Sequence, residues 1–151
     1  MSAETISKQI SLKSQPSNIV LIEPFIEEVR MRLNIAAEMY GNILVCVTEA
    51  VNNAILHGNK ADESKEVVVS IQKEQNKLTC LVKDQGCGFD FNNLPDPTAP
   101  ENIENCGGRG IFLMKHLSDL VVFSNDGSNV EIQFRLWCLP FNLSTKKHGL
   151  S

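Results

Sequence analysis

Glu49 and Asn53 stand four residues apart in the stretch VTEAVNNAILHGN, residues 47–59. In a helix turning about 100° per residue they point the same way, roughly 6 Å apart along the axis. A carboxylate and a carboxamide sharing one space suit phosphoryl transfer. The amide oxygen is a neutral hard ligand for Mg2+, and the carboxylate can orient or deprotonate an attacking hydroxyl or water. His57 follows one turn later, placed either to touch a phosphate or to complement the negative end of the helix dipole.

Two glycine-bearing elements lie downstream. Asp84-Gln85-Gly86-Cys87-Gly88 closes an alternating segment. A carboxylate at a strand end accepts the exocyclic amino hydrogens of adenine, a directional contact inside an otherwise apolar pocket. Gly86 and Gly88 let the backbone approach a flat ligand, and Cys87 lies either in that pocket or in inert packing. Gly107-Gly108-Arg109-Gly110 stands directly before the apolar run Ile111, Phe112, Leu113, Met114 and Leu117. Backbone N–H groups opening a helix make a phosphate site. The cluster is no Walker A loop, because no Gly-Lys-Ser or Gly-Lys-Thr follows.

Elements of regular structure must hold these residues. Ile43, Val47, Val51, Ala54 and Ile55 form an apolar stripe that packs on a sheet and leaves Glu49 and Asn53 on the opposite side. Thr5 to Leu12 alternates as a short strand. Ser14 to Asn18 is a breaker containing Pro16, with Ser17 or Asn18 as a cap. Ile22, Phe25, Ile26, Val29, Leu33, Ala36 and Tyr40 recur at helical spacing, and Gly41 separates this helix from the next. Val67, Val69 and Ile71, then Leu78, Cys80 and Val82, read as adjacent antiparallel strands across a turn at Glu74 to Lys77. Residues 120–124 and 130–136 form a hairpin across Asp126-Gly127. Asp90 to Cys106, with three prolines and four asparagines, is a long loop of the kind that is either disordered or functional.

The order is strand, helix, helix, two strands, long loop, helix, two strands. Helices gathered on one face of sequence-adjacent strands imply an α+β fold, a two-layer α/β sandwich with a mostly antiparallel sheet. A doubly wound arrangement is excluded because it needs regular strand-helix alternation. A chain of 151 residues fits one domain.

Charge and composition restrict the function. A net charge of -4 without a Lys/Arg cluster argues against direct nucleic acid binding. The five cysteines form no C-x-x-C pair, so neither a zinc site nor a disulfide framework is expected, and free thiols fit a reducing cytosol. No basic leader and no apolar stretch of ~20 residues is present. The expectation is a soluble, cytoplasmic protein with no membrane partner.

E-x-x-x-N on a helix, D-x-G-x-G after a strand and G-G-x-G before a helix occur here in one order and spacing. In that order they resemble the ATPase superfamily of gyrase, histidine kinases, the ninety-kilodalton heat-shock chaperones and MutL. Within it, EAVNNAILHGN and GGRGIFLMKHLSD resemble the anti-sigma factor serine/threonine kinases, over residues 15–136. The resemblance implies a histidine-kinase-like ATPase domain over 1–138, a C-terminal tail over 139–151, and ATP and Mg2+ as cofactors. It implies Glu49 as catalytic base and Asn53 as Mg2+ ligand. It also implies that Asp84 reads adenine, that Gly86 and Gly88 shape the pocket, and that Gly107, Gly108, Arg109 and Gly110, with His57 nearby, face the phosphates. Residues 90–106 would be a lid, and the partners a sigma factor and an antagonist protein, with the chain as a homodimer. At 151 residues the chain is expected to lack the upstream phospho-accepting helix pair that a histidine kinase needs. Some members carry an arginine just before the second glycine motif, where this chain has Asn105 and Cys106. Without a cation at the terminal phosphate, transfer is expected to be slow. The alternative is a module that binds an adenine nucleotide without transferring phosphate and controls a partner through lid position.

Overall fold

The computed structural model describes residues 5–86 and 106–136. Five strands, β1 (Thr5–Lys13), β2 (Glu66–Glu74), β3 (Lys77–Lys83), β4 (Leu120–Ser124) and β5 (Asn129–Arg135), form one antiparallel sheet in the order β1-β2-β3-β5-β4. Alternating side chains fall to opposite faces of each strand. The register aligns Ile10, Val69, Val82, Val130 and Phe123 as one rung across all five. Val69, Val82 and Val130 in that rung are buried, and the helices cover this face. The other face carries the alternate, mostly polar residues. The α+β two-layer architecture expected from the element order is the one observed.

Three helices make the second layer: α1 (Ile22–Arg32), α2 (Ala37–Asn53) and α3 (Cys106–Leu117). The apolar stripe of α2 is buried as expected, with Ile43, Val47, Val51, Ala54 and Ile55 all in the core. Ile22, Phe25, Ile26 and Val29 of α1 join them. Met114 of α3 is buried, and the Cys46 thiol lies 3.9 Å from its carbonyl oxygen. That contact seats α3 on α2. Burial pushes the Cys46 thiol up to about 12 and raises Cys80 as well, so neither has the thiolate character that reactivity needs.

Three local expectations need correction. The first helix does not run to Tyr40. It ends at Arg32, where Asn34 adopts φ 53 and the Ile35 N–H donates to the Arg30 carbonyl at 2.9 Å. This is a Schellman-type stop, which asparagine supplies because it tolerates the left-handed region. Gly41 separates nothing. It sits inside α2 with open space around it, and a lone glycine costs a helix only about 1 kcal/mol.

The third correction concerns the breaker. Pro16–Leu21 is a 3-10 helix leading directly into α1, whose start has no side-chain cap. Asn18 donates its amide to the Lys13 carbonyl instead. Ser14, just ahead of it, is fully buried, and its hydroxyl donates to the Lys65 carbonyl.

The hairpin turn at Asp126-Gly127 is present as a short 3-10 turn with positive φ at Asn125 and Gly127. Among the described residues, no helix is long and apolar enough to cross a membrane. Cys87, Gly88, the loop over residues 90–105, Trp137 and the 139–151 tail lie outside the described residues.

Candidate functional site

The helix carrying Glu49 and Asn53 does not end as an ordinary α-helix. After Asn53 it widens into one π turn, Ala54–Gly58, a distortion frequent at functional sites. Glu49 is half-buried on α2. Asn53 is 3% exposed, and among the described residues neither its amide nitrogen nor its amide oxygen has a hydrogen-bond partner. The expectation that both point away from the core is therefore half right. Asn53 faces inward, sharing a lining with Ala50, Ala54, Val82, Asp84 and Met114. An orphaned buried amide is expensive, about 1–3 kcal/mol per group.

The second glycine motif reaches this pair. Gly107 to Gly110 do not precede α3 but form its first turn. Gly110 is buried against α2, where an added Cβ would lie 2.6 Å from Glu49 Oε2 and 3.4 Å from Asn53 Nδ2. Only hydrogen fits between that backbone and the carboxylate. Gly110→Ala is therefore expected to displace the Glu49 carboxylate, which the side-chain NMR signals of Glu49 would report as a shift against the intact chain.

The adenine-type motif meets the same helix at its far end. A Cβ on Gly58 would overlap the Asp84 carboxyl, and one on Gly86 would overlap the Gly58 carbonyl. Asp84 donates its N–H to the Ser128 carbonyl at 2.9 Å, and its Oδ1 accepts the Gly86 N–H at 2.9 Å. The space among Asn53, Ala54, Val82, Asp84 and Met114 amounts to about 10 Å3. That holds one water at most. A larger cleft of about 800 Å3 lies at the β2–β3 turn and the start of β4, and no sequence-predicted site residue lines it.

Electrostatics distinguish the two carboxylates from surface ones. Burial raises Glu49 above the usual range, and the positive charge of Arg109 opposes this. Burial also raises Asp84, opposed by the Gly86 N–H and by Lys65. Arg109 itself is exposed, as is His57 at the end of the π turn.

Asn59 was not visible as part of the site in the sequence. It is 1% exposed. Its amide donates to Ser14 Oγ at 2.7 Å and to the Glu66 carbonyl at 3.0 Å, and its Oδ1 accepts the Gln85 N–H at 2.7 Å. An asparagine after a helical glycine resembles any polar turn residue, and its partners are distant in sequence.

Thus Glu49, Asn53, Asp84, Gly86 and Gly110 converge along one helix, with Arg109 felt at Glu49. Among the described residues, no three His, Cys, Asp or Glu side chains cluster as a metal site. A magnesium ion at Asn53 would accordingly take most of its ligands from phosphate oxygens and water, as that ion usually does.

Comparison with known proteins gives one family and a set of relatives. The profile of the histidine kinase-like ATPase domain matches residues 12–134. The serine-protein kinase RsbW of Bacillus subtilis strain 168 is 26% identical over 123 residues, 78% of this chain and 77% of the relative. The Bacillus licheniformis protein of that name is 28% identical over 120 residues, 74% and 75% of the two chains. The Listeria innocua protein is 25% identical over 128 residues, 80% and 82%.

Proposed function

The chain belongs to the histidine kinase-like ATPase domain family, and from this premise we propose that it is an ATP-dependent protein serine/threonine kinase of the anti-sigma type. In this reading it phosphorylates an antagonist protein and sequesters a sigma factor, acting as a homodimer in the cytoplasm. The observation that carries the proposal is the convergence of Glu49, Asn53 and Gly110, residues from two separated segments, at one place. The relatives named serine-protein kinase and the motif resemblance supply the substrate class.

Each residue has a chemical task. Asp84 accepts the adenine amino hydrogens, and the first turn of α3 faces the phosphates with its N–H groups. Asn53 offers its amide oxygen to Mg2+, which would neutralise charge on the phosphate oxygens. Glu49 takes the proton of the serine hydroxyl as its oxygen bonds to the terminal phosphorus and the bond to ADP breaks. Burial raises its pKa, which makes it a stronger base than a surface carboxylate.

The second reading is a nucleotide-binding module without transfer: the motif resemblance leads one to expect an arginine just before the second glycine motif, and this chain has Asn105 and Cys106 there. Arg109 is the described cation whose charge reaches Glu49. Incubating the chain with labelled ATP, Mg2+ and the antagonist protein decides between the two. Label on an antagonist serine is the expected result, and tight ATP binding without label would favour the module. The transfer rate should rise with pH along a limb set by Glu49 and lying above 4.5, its ordinary value. Arg109→Met removes the charge that lowers this pKa and should move the limb to higher pH. A limb that stays in place would remove Glu49 from the role of base.

A further inference from the structure

Asp84 can select adenine only if its carboxyl is held in one position, and its own contacts do not achieve that. Its Oδ1 takes one local N–H, from Gly86, two residues along the same turn. Outside the turn, the Asp84 N–H donates to the Ser128 carbonyl at 2.9 Å, and Asn59 adds the side-chain anchor, its Oδ1 accepting the N–H of Gln85, the residue between Asp84 and Gly86, at 2.7 Å. The amide's two hydrogens go to Ser14 Oγ and the Glu66 carbonyl, so its orientation cannot reverse without losing every bond. Ser14 is fixed in turn by the Lys65 carbonyl, and the Gln85 side chain closes the circuit by accepting the Glu66 N–H at 2.7 Å. The ends of β1 and β2 are thereby tied to the turn.

We infer that Asn59 is a positioning residue for base selection: it clamps the Gln85 N–H and so aims the Asp84 carboxylate at the amino group of adenine. The inference rests on the adenine reading of Asp84 proposed above. It assigns the two halves of the Asn59 amide different tasks. The oxygen holds the recognition turn, and the nitrogen holds the strand ends.

The test compares ATP with inosine triphosphate, which presents an oxygen where adenine has its amino group. Both affinities are measured calorimetrically with Mg2+ on the full chain, alongside Tm. The intact protein should prefer ATP. Asn59→Ala should weaken ATP about tenfold, the scale of one misplaced hydrogen bond, while inosine triphosphate changes little, so that the preference collapses. Ser14→Ala, which cuts only the strand side, should lower Tm and keep the preference. Asn59→Asp keeps an acceptor for Gln85 and loses the donors, so it too should lower Tm and keep the preference; it serves if Asn59→Ala does not fold.

A preference that survives Asn59→Ala, or vanishes in Asn59→Asp, overturns the positioning role. An intact protein that binds both nucleotides equally overturns the adenine reading of Asp84 itself, and the role of Asn59 with it.

Discussion

Glu49→Gln is expected to lower phosphoryl transfer by about 10²- to 10⁴-fold, the range for loss of a positioned general base, with ATP affinity nearly unchanged. The amide has the shape of the acid and keeps contact with Gly110, whose backbone leaves no slack beside Oε2. It cannot accept a proton. A second readout separates lost chemistry from lost structure. The folded-state pKa of Glu49 is raised by burial, so the folded chain holds this proton more tightly than the unfolded one. Stability from that difference is complete below the unfolded value, 4.5, and is lost as pH rises through the folded value. Glutamine does not titrate. The Tm of the variant should therefore fall less with rising pH than that of the intact chain, most clearly between pH 4.5 and the folded pKa. Transfer that persists in Glu49→Gln would assign the base to another group.

Where the pattern of residues was local, the sequence could be read directly. The stripe Ile43, Val47, Val51, Ala54 and Ile55 repeats within one helix and is buried. The alternation through Val67, Val69, Ile71, Leu78, Cys80 and Val82 gives a hairpin whose register the structure keeps. Where one backbone angle or one distant partner decided the outcome, the sequence was silent. Asn34 ends α1 by entering the left-handed region, but nothing in its neighbours distinguishes it from other exposed asparagines. Gly41 looked like the break because glycine usually is one.

The site followed the same rule. Glu49 and Asn53 share a helix, so their proximity was legible. Asn59 joins Ser14, Glu66 and Gln85, three contacts that exist only after the sheet has formed. The inward turn of Asn53 was missed for a related reason: the outward face of α2 at that level is covered by α3, a helix that begins 53 residues later in the chain, and not by solvent.

Asn53→Leu is expected to stabilise the protein while destroying its use of Mg2+-ATP. The side chain is 3% exposed, and among the described residues both amide atoms are unpaired, which costs about 1–3 kcal/mol per group. Leucine has the same number of side-chain heavy atoms and no polar ones; it is the larger residue, and its methyls would take up the small space among Ala50, Ala54, Val82 and Met114. Recovering even about 1 kcal/mol raises Tm by about 3 °C in a domain of this size. Magnesium-ATP affinity should fall by at least about 100-fold, because losing a direct ligand costs more than losing its support. Free adenosine, which offers no phosphate and needs no metal, should bind nearly as before. Equal losses for the two ligands would place Asn53 in base recognition instead. A lower Tm would mean that the amide is satisfied in solution, and the strain ascribed to it would be absent. A buried polar group retained against stability needs a ligand to explain it, and the opposite movement of Tm and metal-dependent affinity in one variant is the signature of that exchange.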